Sequence, residues 1–307
     1  MPKQSFFSRF PPYIPWHFRW YCFFRRFYRQ TALRYEKSIL LRKGQGLSRD
    51  GSDGVWEGRE RAQPADTAGH VNKSAHWKNQ DLARSDIKAI VEGLEAFKKR
   101  MGEQGLKYVS PSGTFLSNTY VLKDPVKIWE EAWCLRHAEI QPGMRVLDVG
   151  GASTPFSFYI ASKGTAVEVI DNDWGNCGTV YNANYVARKM SLGLKAIDWD
   201  VSRGLPFADK SFDRIFSICV IEHLPSMVRR FLMKEIGRVL MPGGLAGFTT
   251  DYDPHRRDLA TDRGLRFGYL EKFREDVLKP SGLKLVGNTE LVDIKEDEFF
   301  CGAFFLH

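Results

Sequence analysis

The run Arg145-Val146-Leu147-Asp148-Val149-Gly150-Gly151-Ala152-Ser153-Thr154-Pro155 constrains this chain more than any other feature. An apolar, β-branched stretch reaches an acid, then two glycines, then small residues that can open a helix. A parallel strand ends this way where its backbone must pass close to a nucleotide-like ligand. The glycines remove the Cβ atoms that would block approach, and the acid at the carboxyl end can meet a cation or a hydroxyl. A second acid closes the next apolar run, Ala166-Val167-Glu168-Val169-Ile170-Asp171, at the spacing of a βαβ unit. Asp171 is then placed to accept from two vicinal ribose hydroxyls. The competing readings are a merely structural turn at Gly150-Gly151 and a capping role for Asp171 beside Asn172 and Asp173.

Further apolar runs follow in the same rhythm. One ends at Asp198-Trp199-Asp200, and Leu205-Pro206-Phe207-Ala208-Asp209-Lys210-Ser211-Phe212-Asp213 leads into another that closes on Glu222-His223-Leu224. Glu235-Ile236-Gly237-Arg238-Val239-Leu240-Met241-Pro242-Gly243-Gly244 then ends a helix and opens a fifth strand. The pattern predicts strands near 145–150, 166–171, 194–199, 213–220, 244–251, 283–288 and 299–306. Helices are expected near 154–163, 178–191, 226–240 and 268–279. Alternating strands and helices imply a parallel sheet, because parallel neighbours need crossover connections. Ahead of them, Ile87, Ile90, Val91, Leu94, Phe97 and Met101 mark an amphipathic helix. Asp124-Pro125 starts a second one, with Ile128, Trp129, Ala132 and Leu135 on one face.

With these motifs in this order, residues 125 to 307 resemble the class I S-adenosylmethionine-dependent methyltransferases, specifically the methyltransferase type 11-like group with LPF…FD and RVLxPGG signatures. The resemblance implies an α/β fold: a Rossmann-like, doubly wound, seven-stranded sheet whose last strand is antiparallel and inserted between the fifth and sixth. Residues 299–306 are its candidate. S-adenosyl-L-methionine is the implied cofactor, with Asp148, Gly150, Gly151, Ser153, Asp171, Asn172, Asp200, Val201 and Cys219 around it. Asp200 is matched to the acid that receives the adenine amino group, and Val201 offers its backbone N–H. The spacing to Pro206 is one residue long for the group, so Asp198 competes. The group's loop carries further glycines where this chain has Ala152 and Thr154. His223, after the fourth strand, is the candidate catalytic base; its alternative role is to cap the next helix.

The expected activity is methyl transfer to a small-molecule, sugar or lipid-linked acceptor. A nicotinamide-dependent oxidoreductase would carry GxGxxG after the first strand, and this loop lacks that spacing. A methyltransferase-like, non-catalytic scaffold is the third reading. Nucleic acid is not expected as a partner: no Asn-Pro-Pro-Tyr-type tetrapeptide follows the fourth strand, and the sheet domain is near neutral. The formal charge of +8 belongs to the first fifty residues, where Lys3, Arg9, Arg19, Arg25, Arg26, Arg29, Arg34, Lys37, Arg42, Lys43 and Arg49 face only Glu36 and Asp50. The five cysteines include no CxxC pair, so neither a disulfide framework nor a metal site is expected, and a reducing, cytoplasmic setting fits.

The domain boundaries expected are a basic aromatic extension over 1–45, a linker over 46–80, a helical segment over 81–123 and the methyltransferase domain over 124–307. Trp16, Trp20, Phe23, Phe24 and Phe27 recur at helical spacing with Arg19, Arg26 and Arg29 on another side. A basic amphipathic helix in a membrane interface is one reading of that pattern, giving peripheral membrane contact. Packing on the enzyme's own core, a disordered tail and an organellar transit peptide are the others.

Overall fold

A computed structural model describes residues 79–109, 115–116, 125–152, 154–172, 178–252, 273–286 and 300–307. The extension, the linker and Ser153 lie outside the described residues. Six strands form one sheet: β1 (Arg145–Val149), β2 (Ala166–Asp171), β3 (Leu194–Asp198), β4 (Phe212–Ile218), β5 (Leu240–Tyr252) and β6 (Phe300–Leu306). Their spatial order is β3-β2-β1-β4-β5-β6. Every neighbouring pair is parallel except β5–β6, which runs antiparallel with Thr249 opposite Ala303. The order reverses beside β1, so β1 and β4 diverge from a common centre and their carboxyl ends open a crevice.

Of the strand expected over 283–288, residues 283–286 are described and 287–288 lie outside the described residues. The described part makes an isolated antiparallel bridge, Leu285 to Leu306. Lys284 and His307 exchange backbone hydrogen bonds of 3.0 Å, and Val286 N–H donates to Phe305. The topology is nonetheless the expected one, since Leu285 sits on the outer edge of β6.

Period-two alternation sorts the strand residues onto two cores. Val146, Val167, Val169 and Phe216 pack under α1 (Ser85–Glu103), α2 (Pro125–Ala138), α3 (Phe156–Ala161) and α4 (Thr179–Lys189). Leu147, Val149, Ile170 and Ile215 face α5 (Ser226–Val239) and the turn Arg274–Leu278. Asp148 falls on the first face, with Val146. Helix α2 departs from the single apolar face expected of it: Glu130, Glu131, Trp133, Cys134 and His137 are buried along with Trp129 and Ala132, while Ile128 and Leu135 are half-buried. A helix enclosed on nearly all sides has no clean apolar stripe to read. Among the described residues no helix is long and apolar enough to cross a membrane.

The signature motifs close on each other at the sheet's other end. Arg238 donates to the carbonyls of Leu205 (3.0 Å) and Phe207 (2.8 Å) and to Asp209 and Glu235, each at 2.7 Å, while Glu235 accepts from Leu205 N–H at 2.9 Å. Between Leu240, opposite Phe212, and Leu245, opposite Arg214, the residues Met241–Gly244 bulge out of the ladder. Gly243, at φ +78°, supplies the turn.

A buried ion pair fixes the loop after β4. Arg229 donates to Asp276 at 3.0 Å with both side chains fully buried, and its other nitrogen donates to the carbonyls of Ile221 (3.0 Å) and Leu224 (3.3 Å). Burial raises the Asp276 carboxyl, but hydrogen bonds from Arg230, Ser226 and Arg229 outweigh it and hold it below the usual range. Its stabilising contribution is therefore present above the ordinary carboxylate range and is lost as pH falls through the depressed value. Arg229→Ala leaves the buried Asp276 to Arg230 and Ser226 alone and strips the carbonyls of Ile221 and Leu224 of their donor. We expect a loss of about 3–5 kcal/mol in urea unfolding, and an unchanged midpoint would refute the assignment.

Candidate functional site

The carboxyl ends of β1, β2 and β4 meet at the glycine corner. Gly150 adopts φ +84°, and a Cβ there would sit 2.5 Å from Val220 Cγ2. The backbone itself therefore requires this glycine. Its role is not confined to clearing space for a ligand, because any branched replacement would collide with the loop after β4. Gly150 N–H donates to Ile170 O at 2.7 Å, which pins the corner to β2. A Cβ on Gly151 would overlap the Asp148 carboxylate. Two adjacent glycines thus let the loop fold back over a buried acid.

Asp148 is 2% exposed and accepts a short hydrogen bond from Ser157 Oγ at the start of α3. Burial pushes its carboxyl up to about 7; the Ser157 bond opposes this and the nearby Asp171 adds to it. Asp171 closes β2 with Oδ2 accepting Ala152 N–H at 3.2 Å. The same acid expected to meet a ribose also ties down the glycine loop. Asn172 follows it, exposed. Asp198 lies level with Asp171 in the β2–β3 register and is exposed. Asp200 caps the short turn Val201–Arg203 by accepting Ser202 N–H at 2.9 Å. Beside it Trp199 donates its indole N–H to Gly204 O at 2.6 Å, with the Arg203 guanidinium 4.8 Å over its ring.

His223 sits in the turn Ile221–His223, half-buried, with its N–H on Val220 O at 3.0 Å. The N-cap position of α5 is Pro225, which makes no side-chain cap of its own. What holds the turn is Arg229, whose place in the sequence reads as an ordinary helix-surface base.

Cys219, expected beside the cofactor, has an unusual backbone. It takes φ +52°, rare outside glycine, and is half-buried. Its N–H donates to Thr249 O at 3.1 Å. Its thiol donates to Glu130 Oε1 at 2.6 Å and accepts from Lys127 Nζ at 2.8 Å. Lys127 also pairs with Glu130 at 2.9 Å, and the buried Cys301 thiol donates to the same Oε1 at 3.2 Å. Helix α2 is thereby latched across the ends of β4 and β6. Nothing in the apolar periodicity around 125–138 pointed to Lys127 and Glu130; the one available signal was an acid pair inside an otherwise apolar helix. Among the described residues no cluster of His, Cys, Asp or Glu is arranged to hold a metal ion.

The site is therefore a crevice with a glycine floor, a buried acid behind it, a ribose-suited acid at its rim and a histidine-bearing turn opposite. A methyltransferase-domain family model matches residues 147–248, the span holding Asp148, the glycine corner, Asp171 and His223. Over 176 residues the chain is 31% identical to a sterol 24-C-methyltransferase of Gibberella zeae, covering 52% of this chain and 45% of that one. A demethylmenaquinone methyltransferase of Tropheryma whipplei is 32% identical over 117 residues, 38% of this chain and 45% of that protein. The chain thus spans less than half the length of these relatives. A solved S-adenosylmethionine-dependent methyltransferase from Aquifex aeolicus aligns over 60% of this chain and 94% of its own, at 19% identity and a TM-score of 0.42.

A raised carboxyl has a definite signature. The protonated form of Asp148 favours the fold, so its contribution is complete below the ordinary carboxylate range and is lost as pH rises through about 7. We expect Asp148→Asn to remove this loss and to exceed the native protein in stability at pH 8, by on the order of a few kcal/mol. Thermal unfolding at pH 5 and 8 measures it; parallel pH curves for the two proteins would sink the idea. Residues 147–248, which carry the glycine corner, Asp171 and His223, are thus similar to a methyltransferase domain.

Proposed function

We propose that the chain transfers a methyl group from S-adenosylmethionine to a small-molecule acceptor, of lipid type. The observation that carries the reading is the glycine corner folded over buried Asp148 with Asp171 at its rim. When bound, the cofactor supplies an electrophilic methyl on a sulfonium that is already a good leaving group. The chain's task is then mainly placement. Asp171 receives the ribose hydroxyls, Asp200 and Val201 border the adenine, and the backbone at Gly150, Gly151 and Cys219 lies along the methionine end. His223, at the mouth of the crevice, takes the proton of a hydroxyl acceptor. A lipid-type acceptor is favoured because relatives are named for sterol, squalene and demethylmenaquinone, all largely apolar molecules.

The test is incubation of the full chain with methyl-labelled cofactor and a lipid or metabolite extract. A one-methyl mass increment in an extracted molecule is expected. Asp171→Ala should weaken S-adenosylhomocysteine binding by about 1.5–3 kcal/mol, the scale for losing charge-assisted hydrogen bonds. Calorimetry that finds NAD(P) bound instead, or no nucleoside bound at all, would turn the reading to an oxidoreductase or to a scaffold respectively.

The basic aromatic extension over 1–45 fits a peripheral membrane contact on the cytoplasmic side, where a lipid acceptor would be met. Support comes from the sequence, whose five cysteines include no CxxC pair. Removing residues 1–45 should abolish salt-sensitive co-sedimentation with anionic vesicles and leave cofactor affinity unchanged. Should the truncated chain aggregate or melt early instead, those aromatics cover its own core.

A further inference from the structure

Lys127 and Glu130 on α2 and Cys219 after β4 form a closed contact at the carboxyl edge of the sheet. Lys127 Nζ lies 2.8 Å from Cys219 Sγ and 2.9 Å from Glu130 Oε2, and the thiol donates to Glu130 Oε1 at 2.6 Å. Sulfur is larger than oxygen, so an N···S approach at the length of an ordinary N–H···O bond is unusually close. Glu130 is fully buried, whereas the Lys127 side chain is 35% exposed and Cys219 is half-buried, so a small solute can reach amine and thiol. Cys219 holds φ +52°, which persists in a non-glycine residue only where its surroundings over-determine it. Thiols become reactive in such a half-open setting beside a cation. A disulfide is not the outlet. The other thiol on Glu130, Cys301, stands on β6, with β5 between it and β4. Two strand spacings make roughly 9–10 Å, beyond the about 7 Å between Cα atoms that a disulfide can span.

We propose that Cys219 and Lys127 are an oxidative cross-linking site, joined through one oxygen atom when the thiol meets hydrogen peroxide. Their separation is what a single bridging oxygen spans, and it is too long for a direct nitrogen–sulfur bond. In the first step Glu130 Oε1 draws the thiol proton and the sulfur attacks peroxide. The O–O bond breaks, an S–O bond forms and water leaves, giving a sulfenic acid. In the second, the Lys127 ammonium loses a proton to Glu130 Oε2 and thence to solvent. Its nitrogen bonds to the sulfenic oxygen, and the sulfenic hydrogen and one N–H hydrogen leave with a second peroxide as two waters. The pair gives up four electrons to two peroxides. The link does not depend on methyl transfer. It makes the latch of α2 over the end of β4 covalent, across 92 positions of the chain, until a thiol reductant takes the oxygen off as water.

In the test the full chain is treated with hydrogen peroxide, alkylated in denaturant, digested and mapped by mass spectrometry. The expected product is a linked peptide pair containing Lys127 and Cys219, heavier by one oxygen and lighter by two hydrogens than the separate peptides. Dithiothreitol should split it. Closing a long loop restricts the unfolded chain, so the treated protein should melt at least about 3 °C higher and return to its starting midpoint after dithiothreitol. Lys127→Arg keeps the charge and lacks the amine; it should give neither the pair nor the rise. A pair lighter by two hydrogens alone, which is a direct nitrogen–sulfur link, overturns the proposal. So does Cys219 recovered unmodified, as a sulfinic acid with Lys127 unlinked, or in a disulfide. If Lys127→Arg does not fold, the mass of the native pair and its reversal by dithiothreitol decide.

Discussion

Gly150 turns the chain at φ +84° directly against the side chain of Val220, and three separate parts of the crevice depend on that contact. The turn brings Gly150 N–H onto β2, folds Gly151 over the Asp148 carboxylate and sets the start of α3 where Ser157 can reach the same acid. Val220 belongs to the loop after β4, so the corner also sets how far apart the ends of β1 and β4 stand. A left-handed backbone conformation strains most residues by about 1–3 kcal/mol. Here the strain would add to a collision with the neighbouring loop, which explains why glycine persists in a loop that elsewhere replaces the family's glycines with Ala152 and Thr154.

Two arginines carry the mechanical load on the opposite face. Arg238 gathers the carbonyls of Leu205 and Phe207, so the LPF and RVL signatures are the two halves of one hydrogen-bonded clasp rather than ligand contacts. Arg229 does the same for the turn bearing His223, from a fully buried position paired with Asp276. Removing Asp276 would leave the Arg229 charge buried without its carboxylate. The turn after β4 is thus held from beneath by electrostatics.

The parallel βα succession and the glycine corner were legible because each has a local signature: alternating runs, acids at strand ends, a glycine pair; the antiparallel last strand came from the resemblance alone. The span of α1 and the start of α2 at Pro125 followed from periodicity and helix-start chemistry. What escaped were residues whose role depends on distant partners. Glu130 meets Cys219 and Cys301 across 89 and 171 positions, and Arg229 meets Asp276 across 47. No window of sequence contains both ends of such a contact. Cys219 was foreseen as a backbone contact, but its positive φ and its thiol's polar partners come from the packing of α2 over the sheet.

The electrostatics of the crevice suit methyl transfer better than they suit acid–base chemistry. Four carboxyl groups, on Glu130, Glu131, Asp148 and Asp171, lie along the carboxyl edge, a composition that would hold any cation firmly if all were charged. They are not equivalent. Burial raises Asp148 to about 7 and Glu131 to about 8, and Lys127 is paired to Glu130. The field near neutral pH is therefore weaker than the residue count suggests. That restraint has a catalytic logic. A cationic reactant held by full negative charges would be stabilised before the reaction and would lose that stabilisation as its charge disperses, which raises the barrier. Burial that raises Asp148 to about 7 and Glu131 further would leave hydrogen-bonding shape in place with a shallower electrostatic well for the proposed cationic cofactor.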